Sequence, residues 1–177
     1  MPLLSIVIPT KSLDDANLQR LLRSLHRQTF QDFEVLIETE GNSEEAKGRA
    51  ARRATGEIVG FFCTDNDVRD PTFLEVMVRY AQDPQVVGAY TTYYDYVPTD
   101  PPLTRYFALL GANDPVCWWL GKADRASFLS RHASSKCKTS QISFSRLSQS
   151  NGTRRFPSLG DNGFFLKRKY LDQLSFT

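Results

Sequence analysis

The sequence is short of the residues that mark specialised protein classes. Only 3 of its 177 residues are cysteine (Cys63, Cys117 and Cys137); they are odd in number, far apart and without a C-x-x-C. This excludes a disulfide framework or a zinc knuckle and leaves reduced thiols as the expectation. The 10 glycines are too few for a collagen-like chain. No apolar run approaches the roughly 18 residues of a membrane-spanning helix. The opening stretch Met1–Pro9 has no basic flank and an apolar run too short for a signal peptide, so a cytoplasmic location is expected. Neither Gly-x-x-x-x-Gly-Lys-Ser/Thr nor Gly-x-Gly-x-x-Gly follows the first apolar run, which argues against a P-loop ATPase or an NAD enzyme. The two histidines suggest neither a triad nor a zinc site, because His26 falls on the polar side of a predicted helix and His132 in a basic stretch. Acid is missing altogether from Arg125 to Gly160.

What remains is an ordinary globular composition, 41% hydrophobic and 24% charged with a net charge of +2, enough for one domain with a sizeable core. Charge is unevenly spread. Residues 1–124 hold 18 acids against 12 Lys and Arg, whereas residues 125–177 hold 2 acids against 10. The acid-free stretch also contains ten serines, and reads either as a polar, loop-rich basic region facing something anionic or as a mobile surface segment. Nucleic acid is not the expected partner, since the bases lack interleaved aromatics for stacking and the total charge is near neutral.

Along the chain, Leu3–Ile8 is a continuous apolar run, as in a strand covered on both faces. Asp14 or Asp15 can then cap a helix in which Leu18, Leu21, Leu22 and Leu25 recur at helical spacing. Val35–Ile37 predicts a second strand, Ser43-Glu44-Glu45 opens a second helix with a thin face of Ala46, Ala50, Ala51 and Ala54, and Ile58–Cys63 predicts a third strand. Three βα steps of this kind predict a parallel sheet with helical crossovers. Pro71 stands at the start of a further helix carrying Phe73, Leu74, Met77 and Tyr80, and Val86–Tyr96 reads as a long strand. Pro98, Pro101 and Pro102 mark an internal seam. Beyond it Leu103–Leu110 and Trp118–Leu129 are predicted helices, and Phe156–Leu166 is strand-like around an Asn162-Gly163 turn.

Open parallel sheets bind ligands beyond the carboxyl ends of their strands. The residues there are Pro9-Thr10-Lys11, Glu38-Thr39-Glu40-Gly41 and Thr64-Asp65-Asn66-Asp67. Asp65 and Asp67, two carboxylates at i and i+2, suit a hard cation such as Mg²⁺ or Mn²⁺ bridging to phosphate oxygens; equally, such acids cap helices and solvate turns. Glu38 and Glu40 read as ligand-facing acids or as plain loop acids. Lys47, Arg49, Arg52 and Arg53 read first as a solvated helix face. Asp161-Asn162-Gly163 is a turn or a catalytic element. Adjacent Trp118 and Trp119 either stack on a sugar or pack one inward and one outward. Asn151-Gly152-Thr153 matches a glycosylation sequon, idle in a cytoplasmic chain.

In order and spacing these segments resemble the inverting family 2 glycosyltransferases of GT-A fold. The resemblance rests on Ser5–Thr10, Leu22-x-x-Leu25-x-x-Gln28-Thr29-Phe30, Glu34–Ile37 leading to Glu40-Gly41, Ala46–Ala50 with Ala54-x-Gly56-Glu57-Ile58, Asp65-Asn66-Asp67, and later Gly160–Arg168. It implies a Rossmann-like three-layer α/β/α sandwich with a mainly parallel central sheet. Residues 1–177 would form one domain: 1–97 a nucleotide-sugar-binding half, and 98–177 an acceptor-side half that the resemblance leaves incomplete. It implies that Pro9, Thr10 and Glu40, or Glu38 in its place, hold the nucleotide base, that Lys47 lies near the donor, and that Asp65 and Asp67 carry ribose and metal. Asp161 stands where the general base for the acceptor would come. The chain departs from the family in having Thr39-Glu40-Gly41 for Asp-Asp-Gly and Lys47-Gly48 for Arg-Asn.

The implied activity is metal-assisted transfer of a sugar from a UDP- or GDP-sugar to an acceptor hydroxyl with inversion, with Mn²⁺ or Mg²⁺ as cofactor, in cell-surface glycan or glycolipid synthesis. The implied partners are a nucleotide-sugar donor, a glycan or lipid-linked acceptor and, through the basic segment, the anionic inner face of a membrane. Two alternatives stay open. One is a donor-binding fragment or pseudoenzyme without turnover. The other is a sugar-nucleotide nucleotidyltransferase, which normally needs a glycine-rich basic loop where this chain has Thr10-Lys11-Ser12-Leu13-Asp14.

Overall fold

The fold was obtained as a computed structural model, which describes residues 1–91, 93–120, 125, 127–129, 141–142 and 163–173. The chain divides into two compact units, Met1–Tyr90 with Asp161–Thr177, and Thr91–Gly160.

The first unit is built on the βα steps expected from the hydrophobic pattern. Strand β1 (Leu4–Pro9) is central and its apolar side chains are buried on both faces, which is why its sequence runs apolar without alternation. It pairs in parallel with β2 (Phe33–Glu38) on one side and β3 (Ile58–Phe61) on the other. Helix α1 (Ala16–His26) connects β1 to β2, with Asp15 accepting the Asn17 amide as N-cap and Leu18, Leu21 and Leu25 turned inward. Helix α2 (Ser43–Arg53) connects β2 to β3; Asn42 caps it by accepting the Glu45 amide. Helix α3 (Phe73–Gln82) follows β3. Pro71 lies before the N-cap Thr72 rather than in the first helical turn.

Alternation along β1 separates the two faces. Leu4, Ile6 and Ile8 join one core with Leu18, Leu21 and Leu25 of α1 and Leu74, Met77, Val78 and Ala81 of α3. Ser5 and Val7 face the other side, where α2 packs on β1 and β2 through its alanines. Small side chains there bring the helix backbone close to the sheet. Three rings, Phe62, Phe73 and Phe165, meet edge to face with centroids 5.8 to 6.4 Å apart. Phe62 precedes and Phe73 follows the loop that carries Asp65 and Asp67, so both ends of that loop are anchored in one aromatic cluster.

Two further strands extend the sheet. Strand β4 is Gly88–Ala89, only two residues, where the Val/Thr/Tyr-rich run had predicted a strand over Val86–Tyr96. Its partner accounts for the difference. Gly88 and Ala89 pair antiparallel with Leu166 and Phe165 of β6 (Phe164–Lys167), and β6 starts at Phe164, so the ladder ends there. The unit's sheet order is β2-β1-β3-β6-β4, with β6 alone running against the other four. A 3-10 helix, Arg168–Gln173, follows. The sheet is mixed and mostly parallel, with helices on both faces.

In the second unit, α4 (Pro102–Leu110) spans the predicted Leu103–Leu110 and ends at left-handed Gly111. Helix α5 is Pro115–Trp119, started by Asp114 accepting the Val116 amide and by Pro115 in the first turn. It therefore ends near where the predicted Trp118–Leu129 helix was to begin; of that segment, residues 121–124 and 126 lie outside the described residues. Leu120 and Ser127–Leu129 are non-helical, the latter held by Phe128 N–H on the Leu109 carbonyl and by Ser127 Oγ accepting the Leu129 amide. Strand β5 is Gln141–Ile142. Arg125 is buried, donates from Nε to Thr91 Oγ1 at 3.2 Å and lies over the Tyr94 ring. Trp118 is half-buried and Trp119 exposed, the arrangement expected of neighbouring aromatics that pack one inward. Of the predicted Phe156–Leu166 segment, residues 156–162 lie outside the described residues, as do His132 and Asn151.

Candidate functional site

Because β1, β2 and β3 are parallel and in register, their carboxyl ends open on one edge of the sheet. Pro9 is opposite Glu38, and the Thr10 amide donates to the Glu38 carbonyl at 2.9 Å, tying the two loops together at their bases. Thr10 Oγ1 turns back on its own loop to donate to the Ser12 carbonyl. The amino end of antiparallel β6 arrives at the same edge, with the Gly163 amide on the Phe61 carbonyl. Asp161 itself lies outside the described residues.

Glu38 does not stand free in this site. Its carboxylate is buried and takes Arg53 at 3.2 Å through Oε2 and Arg49 at 3.7 Å through Oε1, while Oε1 also accepts the Glu40 amide. Arg49 further donates to the Glu40 carbonyl. The expected solvated basic face of α2 is thus in part a clamp on the β2–α2 loop. Gly41 turns that loop at φ 72°, and a Cβ there would lie 2.6 Å from Glu45 Oε2 and close to the Arg49 guanidinium. Glu40 is exposed beside it.

Lys47 departs further from the solvated-face expectation. It is 3% exposed, on the side of α2 that meets the sheet, with Nζ 3.0 Å from Glu44 Oε1. A helical wheel places it beside the alanine face, but its burial needs the alanines' small size to let α2 approach, which spacing alone does not reveal. Burial pushes the Cys63 thiol up in pKa; the charge of Lys47 opposes this, and Asp65 and Glu44 add to it. Lys47, Glu44, Cys63 and Asp65 are therefore electrostatic neighbours, which brings the α2 lysine to the loop after β3.

That loop is a tight turn closed in both directions between Cys63 and Asn66. The Asn66 amide donates to the Cys63 carbonyl at 3.1 Å and the Cys63 amide to Asn66 Oδ1 at 2.9 Å. Asp65 is exposed at its tip. Asp67 is held by Arg69 Nε at 3.0 Å. Asp70 accepts the Thr72 amide and hydroxyl at 2.8 Å each, and these bonds hold its carboxyl below the usual carboxylate range. The donor chemistry suits a hard cation: two exposed carboxylates at i and i+2 on one loop. Among the described residues no group of three or more His, Cys, Asp or Glu side chains gathers. Mg²⁺ or Mn²⁺ can be held by one or two protein carboxylates and complete its shell from a bound phosphate.

Two polar side chains to which the sequence reading gave no role turn out to tie separate segments together. Gln28 is buried at the end of α1 and Glu34 lies in β2; both send their polar ends to distant backbone. Gln28 stood within the Leu22-x-x-Leu25-x-x-Gln28 pattern, and its place on the apolar side of that pattern was the available signal. Glu34 opened the Glu34–Ile37 segment of the resemblance, but nothing there marked its carboxylate as a link between strands.

No protein-family model matches the sequence, and no curated protein does. Solved structures do. Mannosyltransferase PcManGT from Pyrobaculum calidifontis, in complex with GDP-Man and Mn²⁺, is similar over 98% of this chain and 47% of its own, at 16% identity and a TM-score of 0.55. S. aureus TarS 1–349 in complex with UDP is similar over 55% of this chain and 37% of its own, at 19% identity and a TM-score of 0.45, too low for a shared fold to be read from it. The chain spans less than half the length of these solved proteins. At such identities the likeness is one of fold, and it agrees with the strand order and layers above: the chain has an α/β fold of GT-A type, with a mixed, mostly parallel sheet.

Proposed function

We propose that the chain is a glycosyltransferase that moves a sugar from a UDP- or GDP-sugar to an acceptor hydroxyl with inversion. The observation that carries this reading is the convergence of Pro9-Thr10, Glu38–Gly41, Lys47 and Asp65–Asp67 on one edge of the parallel sheet. A nucleoside diphosphate there would meet backbone and Glu40 at its base, Lys47 toward its phosphates, and Asp65 and Asp67 at ribose and cation. Glu38 then acts through the Arg49–Arg53 clamp, leaving Glu40 as the acid that faces the base.

Displacing the diphosphate builds positive character on the sugar and negative charge on the leaving phosphate. Mn²⁺ or Mg²⁺ held by Asp65 and Asp67 would supply Lewis-acid neutralisation of that charge. Lys47 adds a fixed positive charge, buried and so little screened by solvent. Asp161 is assigned as the base that takes the acceptor hydroxyl proton, a role worth typically about 10² to 10⁴ in rate. The acid-free segment from Arg125 supports an acceptor that is a glycan or lipid-linked, at the anionic inner face of a membrane.

The test is thermal stabilisation by UDP and by GDP, each with and without Mn²⁺, on the chain and on Asp65→Ala/Asp67→Ala. A ligand at about 100 times its dissociation constant adds roughly 2.7 kcal/mol. A metal-dependent shift with one nucleotide, lost in the double variant, is expected; no shift with either refutes the reading. A shift without sugar transfer would identify a donor-binding chain that does not turn over.

A further inference from the structure

The Gln28-Thr29 pair at the end of α1 belongs to none of the assigned roles, yet it makes a dense set of polar contacts with one distant segment. Gln28 is 4% exposed. Its carboxamide uses both ends: Nε2 donates to the Asp70 carbonyl at 2.9 Å, and Oε1 accepts the Leu74 amide at 3.0 Å. Thr29 follows with its amide on the Pro71 carbonyl at 2.8 Å and its hydroxyl on Glu75 Oε2 at 3.0 Å. The segment they grip, Asp70–Glu75, directly follows the Asp65–Asp67 loop and begins α3.

Helix α3 needs this support. Its N-cap Thr72 makes no side-chain cap bond, so the Leu74 amide, one of the orphan donors of a helix start, would be buried without an acceptor if Gln28 were absent. The carboxamide of Gln28 supplies at this reach both the donor for the carbonyl and the acceptor for the amide. A glutamate has no donor for the Asp70 carbonyl, and methionine, of similar shape, has neither group. On the other side of the loop, Asn66 closes the turn on Cys63. The carboxylates at 65 and 67 thus hang between two fixed points.

We infer that Gln28 and Thr29 are positioning residues: they hold the downstream end of the Asp65–Asp67 loop, and thereby the geometry in which its carboxylates meet a cation. The consequence for binding rests on the function proposed above; the clamp on the loop does not.

The experiment compares the chain with Gln28→Met, Thr29→Val and, as a control, Leu25→Val, which weakens the core beside α1 and changes none of the clamp's side chains. Amide hydrogen exchange over 64–75 and over β1 is read alongside Mn²⁺-dependent affinity for UDP and GDP. In Gln28→Met, exchange of 64–75 should rise about tenfold relative to β1, and nucleotide affinity in Mn²⁺ should fall about tenfold. Thr29→Val, exposed and tolerant, should show the same pattern more weakly, and it carries the test if Gln28→Met does not fold. Leu25→Val should move both segments together and leave affinity within about twofold of the unaltered chain. Local exchange unchanged in both clamp variants overturns the inference. So does loosened exchange with unchanged affinity, since the clamp would then position nothing. If the unaltered chain shows no Mn²⁺-dependent binding, the proposed function fails, and exchange alone decides the clamp.

Discussion

Glu34 offers the sharpest test of how the first unit is held together. One carboxylate oxygen, Oε1, accepts the Ser5 hydroxyl at 2.6 Å, the Thr55 amide at 2.8 Å and the Thr55 hydroxyl at 2.8 Å; Ser5 Oγ in turn accepts the Gly56 amide at 2.9 Å. The node joins β2, β1 and the turn into β3. Burial raises the carboxyl pKa, but the bonds from Ser5, Thr55 and Gly56 outweigh it, and the group titrates below its ordinary value. Glu34→Gln keeps an acceptor oxygen but loses the charge assistance. Hydrogen bonds to charged groups contribute about 1.5–3 kcal/mol against 0.5–1.5 for neutral ones, and the half-exposed setting screens part of that. We expect a loss of about 1–2 kcal/mol near pH 7. Because the folded pKa is depressed, the carboxylate's advantage is present above the unfolded value and is lost as pH falls through the folded one. Urea unfolding of both chains near pH 7 and at about pH 3.5 should show the gap between them closing in acid. Equal stability near pH 7, or a gap that stays constant, would refute the reasoning.

Gly56→Ala should be more costly than its size suggests: its Cβ would lie 2.8 Å from Leu4 C and Ser5 N, both backbone atoms of the central strand. About 2–3 kcal/mol is expected from overpacking, read from the urea midpoint. Glu38→Gln breaks the ion pairs to Arg49 and Arg53 and should cost about 1 kcal/mol; added salt should shrink that difference, and proteolysis between 38 and 42 should quicken. Lys47→Met keeps the buried volume and removes a charge that is expensive to bury, so stability should stay within about 1.5 kcal/mol of the unaltered chain. Its nucleotide affinity should fall at least about tenfold if Lys47 faces the donor phosphates; calorimetry with UDP and GDP separates the two effects.

The βα succession up to β3 was legible because it depends on local periodicity. Leu18, Leu21 and Leu25 declare a helix face wherever the helix docks, and Leu4–Ile8 declares a strand buried on both sides. The loop positions were legible too, since parallel strands bring their carboxyl ends to one edge. The Val86–Tyr96 strand failed because pairing, unlike periodicity, requires a partner, and β6 begins at Phe164, one residue before the partner of Ala89. The α5 helix shifted because Asp114 and Pro115 start it, while the apolar pattern of Trp118–Leu129 had no cap of its own.

The sequence by itself therefore determined the α/β class, the central strand, the three crossover helices and the candidate carboxylates at 65 and 67, all of which follow from spacing within about ten residues. Tertiary structure alone decided which charged groups are free to meet a ligand. Lys47 is buried because alanines let α2 approach the sheet, Glu38 is taken by two arginines one helical turn apart, and Gln28 reaches 46 residues along the chain to start α3. Such pairings depend on where separate segments meet in space, and a polar side chain's place in the sequence carries no record of its distant partner.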